Sequence, residues 1–431
     1  MRRRLLVHGV LLRRQPLIAR STFLLWIPAA VAGAVDDWTQ FRGAARDGIS
    51  RETGLLERWP DGGPPEVWRR PIGQGFSAIT VSDGMLYTLA ADGITTDGIA
   101  EGETREYAIA LRASDGAEVW RTVLDRAYAD DRGSGPRSSP TVWRDRVFVL
   151  SGYGKLFALA RADGAVLWRR DLVADHGGRL PIWGYSASVL VDGELLFVAG
   201  GGDQGSILAF RPESGALAWS AGSSHPSYAS PVAVDLAGLR QIVFLQGDRL
   251  VGMSSEGEEL WTYPWPVINN INVATPLVLP ADQIFVSTSY DVGAAVVRVS
   301  RSGDHFEVAE VWRSRVMKNH FHASVYWRGH IYGFDNAFLS CIDAATGKEL
   351  WRTRGLGKGS VLVADGKLVV LSERGRLVLA ELDHEAFREI SAHQVFEARA
   401  WTAPSLSNGQ LYLRSESELV RLDLRAQGGG R

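Results

Sequence analysis

His320 and His322 stand two residues apart, and on an extended segment such a pair points two imidazoles the same way, as a bound metal would need. No third ligand is spaced to complete a set, so no metal is expected. Elsewhere stand Arg137 in Arg137-Ser138-Ser139, Trp183 and Tyr185 in Trp183-Gly184-Tyr185-Ser186, and Asn272 in Asn269-Asn270-Ile271-Asn272. Lys358 opens Lys358-Gly359-Ser360, and Trp401 precedes Thr402. A guanidinium and an ammonium give charge-assisted hydrogen bonds to an anion. Indoles offer flat apolar faces, and amide, phenol and imidazole groups orient what lies between them. That chemistry suits a flat or anionic ligand. No carboxylate stands in these clusters, which suits Ca2+ poorly. Other chemistries leave no signature. There is no Walker loop and no G-x-S-x-G, and the Gly-rich run 199–205 lies between two strand patterns and opens no helix. The single Cys341 excludes an intramolecular disulfide and a Cys-based metal knuckle. It sits in the strand pattern Phe338–Asp343 and reads as a buried thiol.

The clusters share one position: each precedes a strand pattern. Strand starts near Ser77, Ser139, Ser186, Ser230, Ala274, Ala323, Ser360 and Thr402 mark eight units. Hairpin dipeptides Asp83-Gly84, Asp192-Gly193, Asp365-Gly366 and Asn408-Gly409 follow the first strands. Most units end on tryptophan: Trp68, Trp120, Trp168, Trp219, Trp261, Trp312 and Trp351. Four short strands repeating every roughly 40–50 residues predict a β-propeller. The tryptophans recur with the blade, so their expected role is to dock neighbouring blades, each burying on the order of 200 Å². The seventh unit has no tryptophan, and Phe396 is expected in its place. The last unit stops at Leu424, one strand short, while Glu66-Val67-Trp68 is a fourth strand with no unit before it. The predicted fold is all-β, an eight-bladed propeller of four-stranded antiparallel blades, its ring closed by the N-terminal strand. Loops entering the first strands of a propeller meet at one mouth of the central channel. Arg137, Trp183, Tyr185, Asn272, His320, His322, Lys358 and Trp401 are therefore expected to converge there, either as a ligand pocket or as a plug that seals the channel through water-mediated hydrogen bonds.

Six arginines precede the apolar stretch Phe23–Val35, and Ala32-Gly33-Ala34 is a small-residue cleavage signal. Residues 1–34 read as a signal peptide, 35–63 as a lead-in packed on the propeller, and 64–431 as the propeller. Cleavage leaves 41 basic against 49 acidic residues, a net charge of −8. That balance argues against nucleic-acid binding. The apolar run is short for a membrane span, and no Cys follows it to carry a lipid. The expected product is periplasmic or secreted, monomeric and without a membrane anchor.

The unit Cys341-Ile-Asp343-Ala-Ala-Thr346-Gly347-Lys-Glu-Leu-Trp351 resembles the tryptophan-docking repeat of quinoprotein-type propellers. Trp38-Thr-Gln-Phe-Arg-Gly, Gly135-Pro-Arg-Ser-Ser-Pro, Trp183-Gly-Tyr-Ser, Lys318-Asn-His and Gly357-Lys-Gly-Ser extend the likeness along the chain. They look like the secreted PQQ-binding-like β-propeller repeat proteins, a group related to quinoprotein dehydrogenases and to BamB. The resemblance implies two activities. One is an oxidoreductase of alcohols or sugars using pyrroloquinoline quinone with Ca2+; the other is a BamB-like factor in outer-membrane protein assembly. In the enzymes the quinone lies against a disulfide of adjacent cysteines, which a lone Cys341 cannot form. The reading preferred here is an exported, non-catalytic scaffold. It binds an envelope protein, a peptide or a small flat or anionic ligand at the channel mouth.

Overall fold

The computed structural model describes residues 37–94, 100–203 and 205–426. The expected signal peptide, residues 1–34, lies outside the described residues. Eight four-stranded antiparallel sheets make up the fold, and a single 3-10 turn at Ile268–Asn270 is the one helical piece among the described residues. Blade 1 contains Thr80–Ser82, Met85–Ile94, Ala100–Arg112 and Glu118–Asp125. Blades 2 to 7 span Thr141–Asp171, Leu190–Ala221, Val232–Pro264, Leu277–Ser314, Val325–Thr353 and Gly359–Gln394. Blade 8 is Ser405–Asp423 completed by Glu66–Pro71, which pairs antiparallel with Glu418–Asp423. Both ends of the ring thus sit in one sheet, and no blade is left without its outer strand.

The hairpins follow from their turn residues. Asp83, Asp365 and Asn408 have φ of 47°, 46° and 54°, and the glycines after them 72°, 68° and 70°. Two successive left-handed residues make the type I′ turn that matches strand twist. Blades pack face to face through apolar clusters. Tyr87 and Leu89 of blade 1 meet Val147, Val149 and Phe157 of blade 2 in one such layer.

The indole N–H of Trp120 donates to Arg161 O in the next blade at 3.0 Å. Trp68, Trp168, Trp219, Trp312 and Trp351 make the same bond to Ala113, Pro212, Ser255, Ala344 and Asp383. The ring lies over the glycine of that neighbouring turn, except for Trp351, whose ring meets Phe387 instead. A Cβ on Gly164 would stand 2.6 Å from Trp120, and one on Gly347 2.5 Å from Trp312. Trp261 departs from the pattern and donates to Gln241 of its own blade at 2.6 Å. Its neighbour, blade 5, has ten-residue third and fourth strands, and nothing lies within 4 Å of a Cβ on their turn glycine, Gly303.

Blade 7 corrects one expectation. In other blades the tryptophan is the last paired residue before a bulge, as Trp351 is opposite Cys341. Ser391, opposite Leu379, holds that place in blade 7, and Phe396 lies beyond the strand. Trp59 of the lead-in comes to the gap instead. Its backbone N–H donates to Ser391 Oγ at 3.1 Å, and the residue is buried in the cluster shared by blades 1, 7 and 8.

Around the channel the first strands are tied by hydroxyls. Ser139 Oγ accepts from Ala78 N, Ser188 Oγ from Ser139 N and Ser230 Oγ from Ser188 N. Thr80, Thr141 and Ser405 donate to the carbonyls of Pro140, Val189 and Ile79. The other face is crossed by residues 38–56. They bond to blade 1 through Trp38 and Val81, to blade 2 through Thr39 O, to blade 7 through Ser50 N and to blade 8 through Leu56 N. Arg42 and Arg46 are buried at 4% and 3% exposure. Arg42 donates to Ala323 O and Ser324 O of blade 6, and Arg46 to Ser188 O and Val189 O of blade 3 and Pro231 O of blade 4. Backbone carbonyls take the place of a counterion at Arg46, and burial lowers the two guanidinium pKa values to about 10, with Asp47 opposing the shift at Arg42, and about 9.

Candidate functional site

The channel holds a cavity of about 380 Å³. Its floor is set by Phe41, the residue before the channel-filling Arg42. Its wall takes residues from all eight blades. Phe76, Arg132, Arg137, Trp183, Tyr228, Val273, Tyr290, His320, Phe321, His322, Lys358 and Trp401 line it, with Ser186, Ser188 and Ser230 lower down. Aromatic rings form continuous runs. Phe76 meets Trp401 at 5.6 Å, Trp401 meets Phe321 at 4.9 Å, His320 meets Tyr290 at 5.6 Å, and Trp183 meets Tyr228 at 5.5 Å between centroids. The rings meet at a tilt, brought together by the entry loops and, for Tyr290, by the loop between the second and third strands of blade 5.

Of the eight residues expected at the mouth, the cavity brings together Arg137, Trp183, His320, His322, Lys358 and Trp401. Tyr185 and Asn272 are not among the lining residues. Tyr185 is 2% exposed and donates its hydroxyl to Gly200 O at 2.8 Å. Asn272 is fully buried, donates to Gln246 O at 2.7 Å and accepts from Thr288 Oγ1 at 2.6 Å. Tyr185 points into its own blade, and Asn272 bridges a blade 4 carbonyl to Thr288 of blade 5, where buried polar groups need partners. His320 and His322 lie in the loop before Val325–Trp327, not on a strand. His322 Nε2 is 2.7 Å from Trp401 O, so it carries the proton and donates. Burial, with Lys358 and Arg132 nearby, lowers the His320 pKa to about 4. Burial lowers that of His322 to about 3. Both rings are neutral at pH 7. Among the described residues no group of three or more His, Cys, Asp or Glu side chains could hold a metal ion.

No carboxylate is among the lining residues, but two stand behind them. Asp130 pairs with Arg137 at 2.8 Å, and Arg137 also donates to Gly133 O and Trp183 O. Arg137 thus braces two entry loops as well as facing the cavity. Glu373 accepts from Lys358 N at 3.0 Å and from Trp401 Nε1 at 3.1 Å. Burial lowers the Lys358 pKa, Glu373 opposing the shift and Arg132 adding to it. Phe41, Arg132 and Tyr290 belong to the lining but carry no repeat signal. One is in the lead-in, and the other two lie on loops away from the strand starts.

The residues do not fit a Ca2+-bound quinone. No carboxylate lines the cavity, and the nearer Glu373 has both oxygens engaged. Cys341 is buried in a blade 6 strand, where burial pushes its thiol up to about 12.

A family model described as outer membrane protein assembly factor BamB matches residues 104–337 and 304–426. BamB of Moranella endobia is 25% identical over 256 residues, covering 56% of this chain and 63% of that protein. BamB of Yersinia pestis is 24% identical over 201 residues, covering 45% and 47%. The matched stretches therefore span less than two thirds of these relatives. Among solved structures, BamB from Moraxella catarrhalis superposes with a TM-score of 0.57 at 15% identity, covering 85% of this chain and 99% of that one. Quinohemoprotein alcohol dehydrogenase from Comamonas testosteroni gives 0.51 at 13%, covering 92% and 82%. At such identities the structures speak for the fold alone. The family model, matching between residues 104 and 426, reaches further: the chain belongs to the BamB family of PQQ-like β-propellers.

Proposed function

We propose that this propeller is an exported binding protein whose central cavity holds a flat, anionic small molecule. The observation that carries the reading is the cavity itself. It is floored by Phe41, walled by aromatic rings and faced by the cations Arg132, Arg137 and Lys358. Its volume of about 380 Å³ is within the usual range for small-molecule sites. Arg137 is held by Asp130 at 2.8 Å in a largely buried pair, whereas Arg132 has only a long, exposed pair with Asp131 at 3.9 Å, so Arg132 and Lys358 are the cations for a ligand anion. Such bonds contribute about 1.5–3 kcal/mol each. The test is a calorimetric titration with planar aromatic carboxylates. Saturable binding is expected, and Arg132→Ala with Lys358→Gln should weaken it at least about tenfold, or about 1.4 kcal/mol. Absence of binding in the folded wild type would overturn the reading.

The family match favours a second reading, a scaffold for outer-membrane protein assembly, as the relatives' name states. The outermost strands expose Val119, Val123, Val166, Leu167 and Leu217. Co-purification with assembly proteins from envelope membranes, abolished by Val123→Arg with Leu167→Arg, is the expected result. Unchanged co-purification would place the contact elsewhere.

A further inference from the structure

The chain carries 42 arginines and only five lysines. Three of the five are in ion pairs: Lys155 with Asp125 at 2.8 Å, Lys318 with Asp335 at 3.2 Å and Lys367 with Glu57 at 2.8 Å. Lys348 is exposed. Lys358 is half-buried and lines the cavity, with its Nζ 6.0 Å from the centre of the Phe321 ring. Among the described residues its ammonium has no ion-pair partner. Glu373, the carboxylate next to it, takes hydrogen bonds from the Lys358 backbone and the Trp401 indole instead. A cavity needing only a fixed positive charge would be served by arginine, which this chain uses almost everywhere. A guanidinium keeps its proton, whereas an ammonium beside aromatic rings can release one and become a nucleophile.

We propose that Lys358 is a carbonyl-capturing amine, its Nζ forming an imine with an aldehyde or ketone on the flat, anionic ligand of the cavity. The inference rests on the cavity-ligand reading above. The neutral amine adds its lone pair to the carbonyl carbon. The C–O bond then breaks, a C=N bond replaces C=O, and both amine protons leave with the oxygen as one water. His320 is placed to help. It is neutral, senses the Lys358 charge, and its buried Nδ1 has no hydrogen-bond partner among the described residues, so it can carry a proton from nitrogen to oxygen. Three charged or titratable groups act on Lys358. Glu373 favours the ammonium; Arg132 favours the free amine, as does burial; His320 is uncharged at neutral pH.

The test uses the full chain with 4-formylbenzoate and cyanoborohydride at pH 7.5, followed by peptide mass spectrometry of the five lysines. Terephthalate, a flat anion without an aldehyde, serves as competitor, and its own binding is measured by calorimetry. The expected result is label on Lys358 severalfold above each other lysine, suppressed by terephthalate and absent in Lys358→Arg. Label that follows exposure, with Lys348 ahead, while terephthalate binds, overturns the amine and leaves the cavity reading standing. Preferential Lys358 label that terephthalate neither binds nor suppresses supports the amine and removes the anion reading. Neither binding nor preferential label overturns both.

Discussion

Glu106 is the acid most removed from water among the described residues, at 0% exposure. It accepts from Gly152 N at 3.1 and 3.3 Å, and among the described residues it makes no ion pair. Burial, with Asp125 nearby, raises its pKa to about 8, against the pull of the Gly152 bond, Arg137 and Lys155. The folded state therefore holds a proton that the unfolded chain releases above about pH 4.5. Stability from this group is present below that pH and is lost as pH rises toward 8. Glu106→Gln should flatten the decline and raise stability at pH 8 by on the order of a few kcal/mol. Urea melts at pH 5 and pH 8 check it; an equal effect at both would refute it. His320 and His322 act on the acid side. Their folded pKa values are about 4 and about 3, so their contribution is intact above the unfolded value near 6.5 and is lost as pH falls below it. His320→Gln should blunt the loss of melting temperature between pH 7 and pH 4.

At the scale of the blade, the unit of cohesion is a tryptophan lying on its neighbour's turn, over a glycine for Trp168 and against Phe387 for Trp351. Trp168 and Trp351, at 8% and 9% exposure, hold both the indole bond and the contact with a partner ring, Phe148 or Tyr332. Truncating either to alanine should cost about 3–5 kcal/mol. The glycines make a sharper comparison. Gly215→Ala sets a Cβ 2.6 Å from Trp168 at φ +66°, whereas Gly303→Ala meets nothing at φ +61°. Both incur the left-handed strain of about 1 kcal/mol. Only Gly215→Ala displaces a neighbouring blade, so it should lower the melting temperature clearly further. Equal shifts would mean that the indole does not hold the blades together.

Over the whole molecule one segment closes the ring and the channel. Glu66–Pro71 completes blade 8, and residues 38–56 bond across the far face, with Arg42 and Arg46 reaching carbonyls of blades 3, 4 and 6. Deleting residues 37–71 should lower the melting temperature and promote association through the bared strand Glu418–Asp423. Arg46→Ala leaves the strand in place. It should lower stability without association, because it strips donors from buried carbonyls but bares no edge. Light scattering beside calorimetry separates the two; a monomeric deletion variant of unchanged stability would contradict the closure argument.

The architecture was legible in the chain because it is written periodically. Eight strand starts, the Asp-Gly and Asn-Gly turns and the spacing of the tryptophans determine blade number and strand count. A unit missing its last strand and a strand without a unit determine how the ring closes. What the periodic signal could not carry is which way each side chain turns at the channel. Tyr185 and Asn272 occupy the same entry position as Trp183 and His322, yet a backbone carbonyl of its own blade claims Tyr185 and one of the preceding blade claims Asn272. Phe396 has the right chemistry for the seventh docking place, but a bulge in register gives that place to Ser391, and Trp59 arrives from more than 300 residues away. The cavity floor was equally hidden, since Phe41 and Arg42 belong to no repeat. Strand pairing is local and recurs with the blade, so one chain displays it. The channel is where all eight blades and the lead-in meet, and only the closed ring decides which groups are left facing it.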